Sequence, residues 1–369
     1  MHLARALLTA LVMAAVLAPT ALAKSAASSP PPIRHVFVIV LENEDAATTF
    51  GPASPAPYLA RTLVGRGAFI PGFYGIGHLS LGNYLAMISG QAVNPSTAAD
   101  CPVYTNVAPG TPAPGGQVIG QGCVYPSSVK TVADQLVAAG LSWKAYQEDM
   151  GADPVRDGGT TCAHPALGTL DRTLRASPTD QYATRHNPFV YFHSIIDRPD
   201  CATRDVPLTQ LPADLRKRSK TANLTFITPD LCHDAHDATC ADGGPGGLAA
   251  ANEFLRTWVP QITRSQAYRR DGLLAIIFDE AESDSSSCCG QVAGPNLTPP
   301  APGAAVPGGG RTGAVLLSRF IRRGTTTAQQ YNHYSLLRSI EDAFALPHLG
   351  YAAADGLRPF GTDIYTGKK

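Results

Sequence analysis

The sequence predicts an α/β fold built on buried parallel strands. Three observations predict it. Two short apolar runs, residues 35–41 and 273–278, are rich in β-branched and aromatic side chains, as strands covered on both faces are. Each run ends on acid, Glu42-Asn43 after the first and Asp279-Glu280 after the second. Stretches of helical period lie between the strand-like ones, as parallel crossovers require. Ligands of an open α/β sheet gather beyond the carboxyl ends of its strands. Two acidic tips far apart in sequence are therefore expected to converge on one site. Clustered oxygen donors there suit a hard or borderline divalent cation.

The elements follow in order. Residues 1–23 have the form of a secretory signal, with Arg5 in the n-region, an apolar stretch over 6–17 and Ala21-Leu22-Ala23 at the cleavage site. That stretch is shorter than the roughly 20 residues a membrane span needs, and no later segment is long and apolar enough to span. Export to the outside or the periplasm is expected. Residues 24–32, rich in Ser, Ala and Pro, read as a flexible lead-in to the first strand. Residues 56–66 read as a helix with Pro57 in its first turn, and 67–70 as a short strand. Residues 83–89 are apolar at helical spacing and Gly90 ends them, which puts Ser80 at a helix N-terminus. Backbone N–H groups and the helix dipole favour an anion there.

Residues 91–125, rich in Pro, Gly, Ala and Thr, read as a stapled surface excursion. Residues 129–139 form an amphipathic helix ended by Gly140, and 141–146 a strand. Residues 147–215 read as irregular, so an insertion spans about 91–215. Residues 223–228 are a strand with Asp230, His233, Asp234, His236 and Asp237 beyond its tip. Residues 247–262 are a helix, 283–311 a Gly/Pro-rich loop, 314–317 a strand and 335–346 the last helix.

The 29 basic residues balance the 29 acidic ones, and no basic block stands out, which argues against a nucleic-acid partner. Eight cysteines behind an export signal imply disulfides and no reactive thiol. Cys101 with Cys123 and Cys232 with Cys240 are the simplest local closures. Adjacent Cys288 and Cys289 are expected to bond elsewhere rather than to each other. The cysteines lack the paired spacing of a zinc site.

Four clusters carry chemistry: Glu42-Asn43; His78 with Ser80; the acids and histidines of 230–237; and Asp279-Glu280 with the later His333. A serine at a helix start is more often a cap than a nucleophile and needs a base or metal to become one. The Asp/His density of 230–237 suits metal ligation or acid–base work.

Taken in order, Glu42-Asn43, Gly77-His78-Leu79-Ser80-Leu81-Gly82-Asn83-Tyr84, Pro229 to Asp237, Phe278-Asp279-Glu280 and Asn332-His333-Tyr334-Ser335 resemble the motifs of the bacterial phosphoesterase family. That family includes secreted acid phosphatases and phospholipase-C-type enzymes within the alkaline-phosphatase-like superfamily. The resemblance runs from about residue 33 to 351 and is closest to the shorter secreted acid phosphatases. It implies an α/β/α sandwich around a mostly parallel sheet, with disulfide-stapled loop insertions and one domain over 33–369. It also implies a divalent metal (Ca, Mg or Zn) and hydrolysis of a small phosphate ester or phospholipid headgroup through a phosphoserine. Position by position, Glu42, Asn43, Asp279 and Glu280 match the metal ligands and Ser80 the nucleophile. His78, Asn83, His186 and Asp234 fall around the phosphate. His236 and His333 are the acid candidates, and Asp230 and His233 possible additions. Two departures stand out: Gly82 where many members have Pro, and Glu44-Asp45-Ala46-Ala47 where an aromatic is usual. Three alternatives remain at this point: a phospholipase-C-type phosphodiesterase on the same residues, an α/β-hydrolase-like carboxylesterase, and a non-catalytic metal-binding secreted protein. The carboxylesterase reading has Ser80, Asp279 and His333 in its chain order, but His78 breaks G-x-S-x-G.

Overall fold

A computed structural model describes residues 30–297 and 307–367. The expected signal segment, 1–23, lies outside the described residues. Eight strands form the main sheet: β1 His35–Leu41, β2 Ala68–Ile70, β3 Trp143–Gln147, β4 Asp205–Pro207, β5 Leu224–Thr228, β6 Gly272–Phe278, β7 Ala314–Ser318 and β8 Thr325–Thr326. Their spatial order is β8-β2-β7-β6-β1-β5-β3-β4. β6, β1, β5, β3 and β4 run parallel, and β7 is antiparallel to both its neighbours.

Helices cover both faces. α1 Ser80–Ser89, α2 Val132–Ala138 and α5 His333–Phe344 pack on one side; α3 Gly247–Arg264 and α4 Gln266–Asp271 pack on the other. The period-2 alternation of a strand assigns the residues. Val36, Val38 and Val40 of β1 join the α1/α5 core, and Phe37, Ile39 and Leu41 join the α3 core. The result is the α/β/α sandwich the resemblance implied. Both chain regions holding the acidic motifs feed its two central strands.

α1 forms because its ten residues are all buried between the sheet and α5, and it stops at Gly90, whose φ of 68° is open to glycine. α2 opens on a capping box between Thr131 and Asp134.

Elements lacking a periodic signal depart from the expectation. Residues 147–215 are not wholly irregular: they supply edge strand β4 and a helical turn at Leu211–Leu215. A three-residue strand is too short to show alternation. The Pro/Gly-rich excursion contains a hairpin, Ala108–Ala113 with Gln117–Gln121.

All eight cysteines pair. Cys101–Cys123 and Cys232–Cys240 are the expected closures, and Cys162–Cys201 is a third bridge. The expectation for the adjacent pair fails: Cys288 bonds to Cys289. The other six cysteines pair among themselves, and Cys288 and Cys289 lie in one short turn after β6.

Candidate active site

Register brings the two acidic tips together. β1 and β6 pair parallel through Leu41 opposite Phe278, so Glu42 and Asp279 are the next residues side by side. Two residues beyond Val40 and Ile277, both carboxylates point to the α1/α5 face. Both are fully buried. β5 ends on the same edge, and the turn after it delivers Asp234 and His236.

Ser80 is the first residue of α1 and is buried. It caps nothing: the N-cap position is Leu79, with φ 69° and ψ 135°. The Ser80 hydroxyl instead donates to Glu42 Oε2 at 2.7 Å. Asn43 (φ 51°) and Ala235 (φ 90°) also hold positive φ near the site. Non-glycine residues held in that region cost of order 1–3 kcal/mol each, and such strain clusters at functional sites.

His186, from the turn Thr184–His186, lies in the centre. Its Nε2 is 3.4 Å from Glu42 Oε2 and its Nδ1 3.2 Å from Asp234 Oδ2, with its ring stacked on Tyr84 of α1 at 5.2 Å between centroids. Neither contact has hydrogen-bond geometry. Donor atoms of Glu42, His186 and Asp234 all lie within 4.8 Å of one another. Glu42 Oε1, both His186 ring nitrogens, Asp234 Oδ2, Asp279 Oδ2 and His333 Nδ1 are buried without a hydrogen-bond partner. Buried polar atoms are rarely left unpaired. So many in one place, mostly carboxylate and imidazole, fit the donor set of a divalent cation.

The electrostatics agree. Burial, then the charges of Asp279 and Asp234, push the Glu42 carboxyl up. Burial and Glu280 push Asp279 up, and burial raises Asp234. Burial holds His186 below the usual histidine range and takes His333 down to about 4. Each carboxyl is pushed toward its neutral form, as expected of acids crowded in a buried space without a counter-charge.

The remaining expected residues sort by partner. Glu280 sits 2.8 Å from His78 Nδ1, and that contact raises the His78 pKa. His78 Nε2 is 3.1 Å from both the Asp284 carbonyl and Ser285 Oγ. This pair ties the turn before Ser80 to the loop after β6. Asn83 is committed to the same turn, accepting from the Ile76 and Gly77 N–H groups and donating to the Gly77 and Leu79 carbonyls. Its amide therefore shapes the turn before Ser80. The Asn43 backbone N–H donates to Asp279 Oδ1 at 3.2 Å. Asp230 accepts from the Cys232 and His233 N–H groups, and the His233 ring lies between Asp230 and Glu148. Those acids push His233 up to about 11. Asp230 and His233 thus form a separate charged knot beside the site. His333 is buried, with Nε2 on the Asp279 carbonyl. His236 is half-buried, with Nδ1 2.8 Å from Asp237 Oδ1.

Sequence reasoning missed Tyr84, Asp100 and Arg185. Asp100 accepts the Leu81 N–H at 2.9 Å, taking one free donor of the α1 N-terminus, and Arg185 lies 3.5 Å from it. Their neighbours Cys101 and His186 were the only local signal. Gly82 also acquires a reason: a Cβ there would stand 2.2 Å from Val93 Cγ1.

The chain resembles several known proteins. It is 26% identical over 315 residues to a phosphate-repressible acid phosphatase of Penicillium chrysogenum, covering 85% of this chain and 59% of that one. It is 24% identical over 327 residues to a phosphatidylinositol-3-phosphatase of Mycobacterium tuberculosis, covering 89% and 82%. The chain thus spans under two thirds of the length of the fungal acid phosphatases it matches, 55% for one from Aspergillus fumigatus. In structure it is similar to a phosphonate monoester hydrolase of Silicibacter pomeroyi, with TM-score 0.50, 13% identity and coverage of 91% and 77%, a likeness of fold. The model of the Phosphoesterase family matches residues 56–347, and the chain belongs to that family.

Proposed function

We propose that this protein is an exported phosphoric monoester hydrolase that works through a phosphoserine on Ser80. The observation that carries this is the 2.7 Å hydrogen bond from Ser80 Oγ to Glu42 inside a cluster of unpartnered buried donors. Membership of the phosphoesterase family and the similarity to acid phosphatases support the reaction class. Four disulfides suit an oxidising compartment.

Glu42, His186, Asp234 and Asp279 would hold a divalent cation. When bound, it supplies positive charge that favours the serine alkoxide and stabilises the phosphoryl oxygens. The chain's own groups do the rest. Glu42 Oε2 holds the Ser80 proton, and burial makes this carboxylate basic enough to take it. Glu42 Oε1 has no partner and stays available to the cation. Asn83 and the His78–Glu280 pair fix the turn, so that Ser80 Oγ is preoriented for in-line attack on phosphorus. His236 is the better placed general acid for the leaving alkoxide, because it is half-buried and oriented by Asp237. His333 is neutral, with Nε2 occupied by a carbonyl, and positions Asp279. Water then hydrolyses the phosphoserine.

The test is turnover of p-nitrophenyl phosphate, bis(p-nitrophenyl) phosphate and p-nitrophenyl acetate, with acid-quenched peptide mapping during monoester turnover. A phosphoryl adduct on Ser80 is expected, with the monoester cleaved fastest and chelator suppressing it. Faster diester cleavage would shift the reading to a phosphodiesterase. An acetyl adduct with chelator-insensitive ester turnover would overturn it.

A further inference from the structure

A second feature lies at the opposite end of the sheet. A cavity of about 570 Å³ opens beside Ser318, the last residue of β7. Ser318 pairs with Leu273 near the start of β6, so this is the amino edge of the parallel strands. At roughly 3.3 Å per residue, the length of β6 sets it about 20 Å from Asp279.

Five arginines line this cavity, Arg66, Arg264, Arg269, Arg319 and Arg323, and no carboxylate does. All five are exposed. Arg66, Arg264 and Arg269 each sit in the last turn of a helix, where a cation complements the dipole. That accounts for those three singly. It does not account for Arg319 and Arg323, which come from the loop after β7 and belong to no helix. Some arginines elsewhere are ion-paired, Arg156 with Asp157 and Asp180, Arg198 and Arg204 with Asp200, Arg218 with Asp271, and none of the five lining the cavity is. In a chain with 29 charges of each sign, five guanidinium groups without a carboxylate partner around one hollow are a local segregation of charge, although Arg319 also donates to the Arg270 carbonyl. Two hydroxyls nearby are spent, Ser318 on the Gly272 carbonyl and Thr263 on that of Val259. The donors left facing the hollow are mostly guanidinium N–H groups, with the Tyr268 hydroxyl beside them.

Guanidinium forks match the oxygens of phosphate groups in paired hydrogen bonds. The volume lies in the usual range for small-ligand sites, about 300–1,000 Å³. Like charges gathered on a concave wall repel until an anion enters, and concavity favours a small solute over an extended surface. We propose that this cavity is an accessory binding site for a small oligophosphate anion, one with several adjacent phosphate groups, distinct from the hydrolytic centre.

The test is calorimetric titration of sodium tripolyphosphate into the full chain carrying Ser80→Ala, which keeps the probe from turning over at the proposed nucleophile. The same titration is run with Arg264→Ala and Arg323→Ala added. Both side chains are exposed, so the variant is expected to fold. One equivalent should bind, with affinity at least tenfold weaker without the two arginines and falling steeply with salt. With Ser80 intact, the arginine variant should turn over p-nitrophenyl phosphate within twofold of wild type. Binding unchanged by the arginine substitutions, or no binding at all, would overturn the proposal. So would capture on phosphatidylserine vesicles that tripolyphosphate does not displace, which would mark a membrane face instead.

Discussion

Replacing Glu42 by Gln should stabilise the metal-free protein and weaken its response to metal. Two magnitudes compete. Glu42 and Asp234 place carboxylate oxygens within 4.8 Å of each other. Two like charges at that distance repel by about 3.5 kcal/mol at an effective dielectric near 20. Asp279 adds to this, because its charge also raises Glu42. Against it stands the Ser80 hydrogen bond, 2.7 Å long and charge-assisted. A Gln carbonyl still accepts that bond, so the loss is about 1 kcal/mol. Repulsion wins by about 2.5 kcal/mol. The sign depends on pH. The folded-state pKa of Glu42 lies above its unfolded value, so the penalty is absent at low pH, where both states are protonated. It grows as pH rises through the unfolded pKa toward the folded one. The assay is thermal unfolding of wild type and Glu42→Gln at pH 4 and pH 8, with chelator or with excess Mg, Ca or Zn. In chelator at pH 8 the variant should melt higher, and at pH 4 the two should converge. Added metal should raise wild type more than the variant, since the variant lacks one anionic ligand. A variant that melts lower in chelator at pH 8 and gains as much from metal would refute the cation-cluster argument.

Other expectations follow from the same geometry. Ser80→Ala should lower phosphatase kcat by several orders of magnitude while costing no more than about 1.5–3 kcal/mol of stability, the worth of a hydrogen bond to a charged group, and excess metal should not restore it. Retention of more than a tenth of kcat would instead favour a water nucleophile. Gly82→Ala should cost about 1–3 kcal/mol by denaturant unfolding, because its Cβ would meet Val93 Cγ1 at 2.2 Å, and Val93→Ala in the same chain should recover much of it. Glu341, buried in α5, has its carboxyl pushed up to about 8 by desolvation, so its contribution to stability declines from about pH 4.5 to 8. Glu341→Gln keeps an acceptor for the Leu349 N–H at 2.8 Å and should raise Tm at pH 8 but not at pH 4; equal effects at both would sink the assignment.

The local parts of this protein were legible in its sequence because their causes are local. The apolar runs of β1 and β6 must be buried on both faces, Gly90 must end α1, and Glu42 and Asp279 must stand at strand tips, whatever the rest of the chain does. The motifs read in order carried the family. What the sequence could not assign were partners, since partnership depends on register and on which loop reaches which edge. Asn83 was expected near phosphate and holds the turn before Ser80; His78 was expected there too and pairs with Glu280. His186 sits in a stretch without periodicity, yet the turn at Thr184–His186 carries it between Glu42 and Asp234. Cys288 and Cys289 pair with each other, against the sequence expectation, since the other six cysteines pair among themselves. Ser80 was given to a helix start by sequence, but only the packing of α1 against β1 set its hydroxyl on Glu42 rather than on the helix end. Short-range sterics and burial periodicity are written along the chain. Contacts such as those among Glu42, His186 and Asp234 join residues up to 192 positions apart, and only the assembled sheet brings them into one buried space.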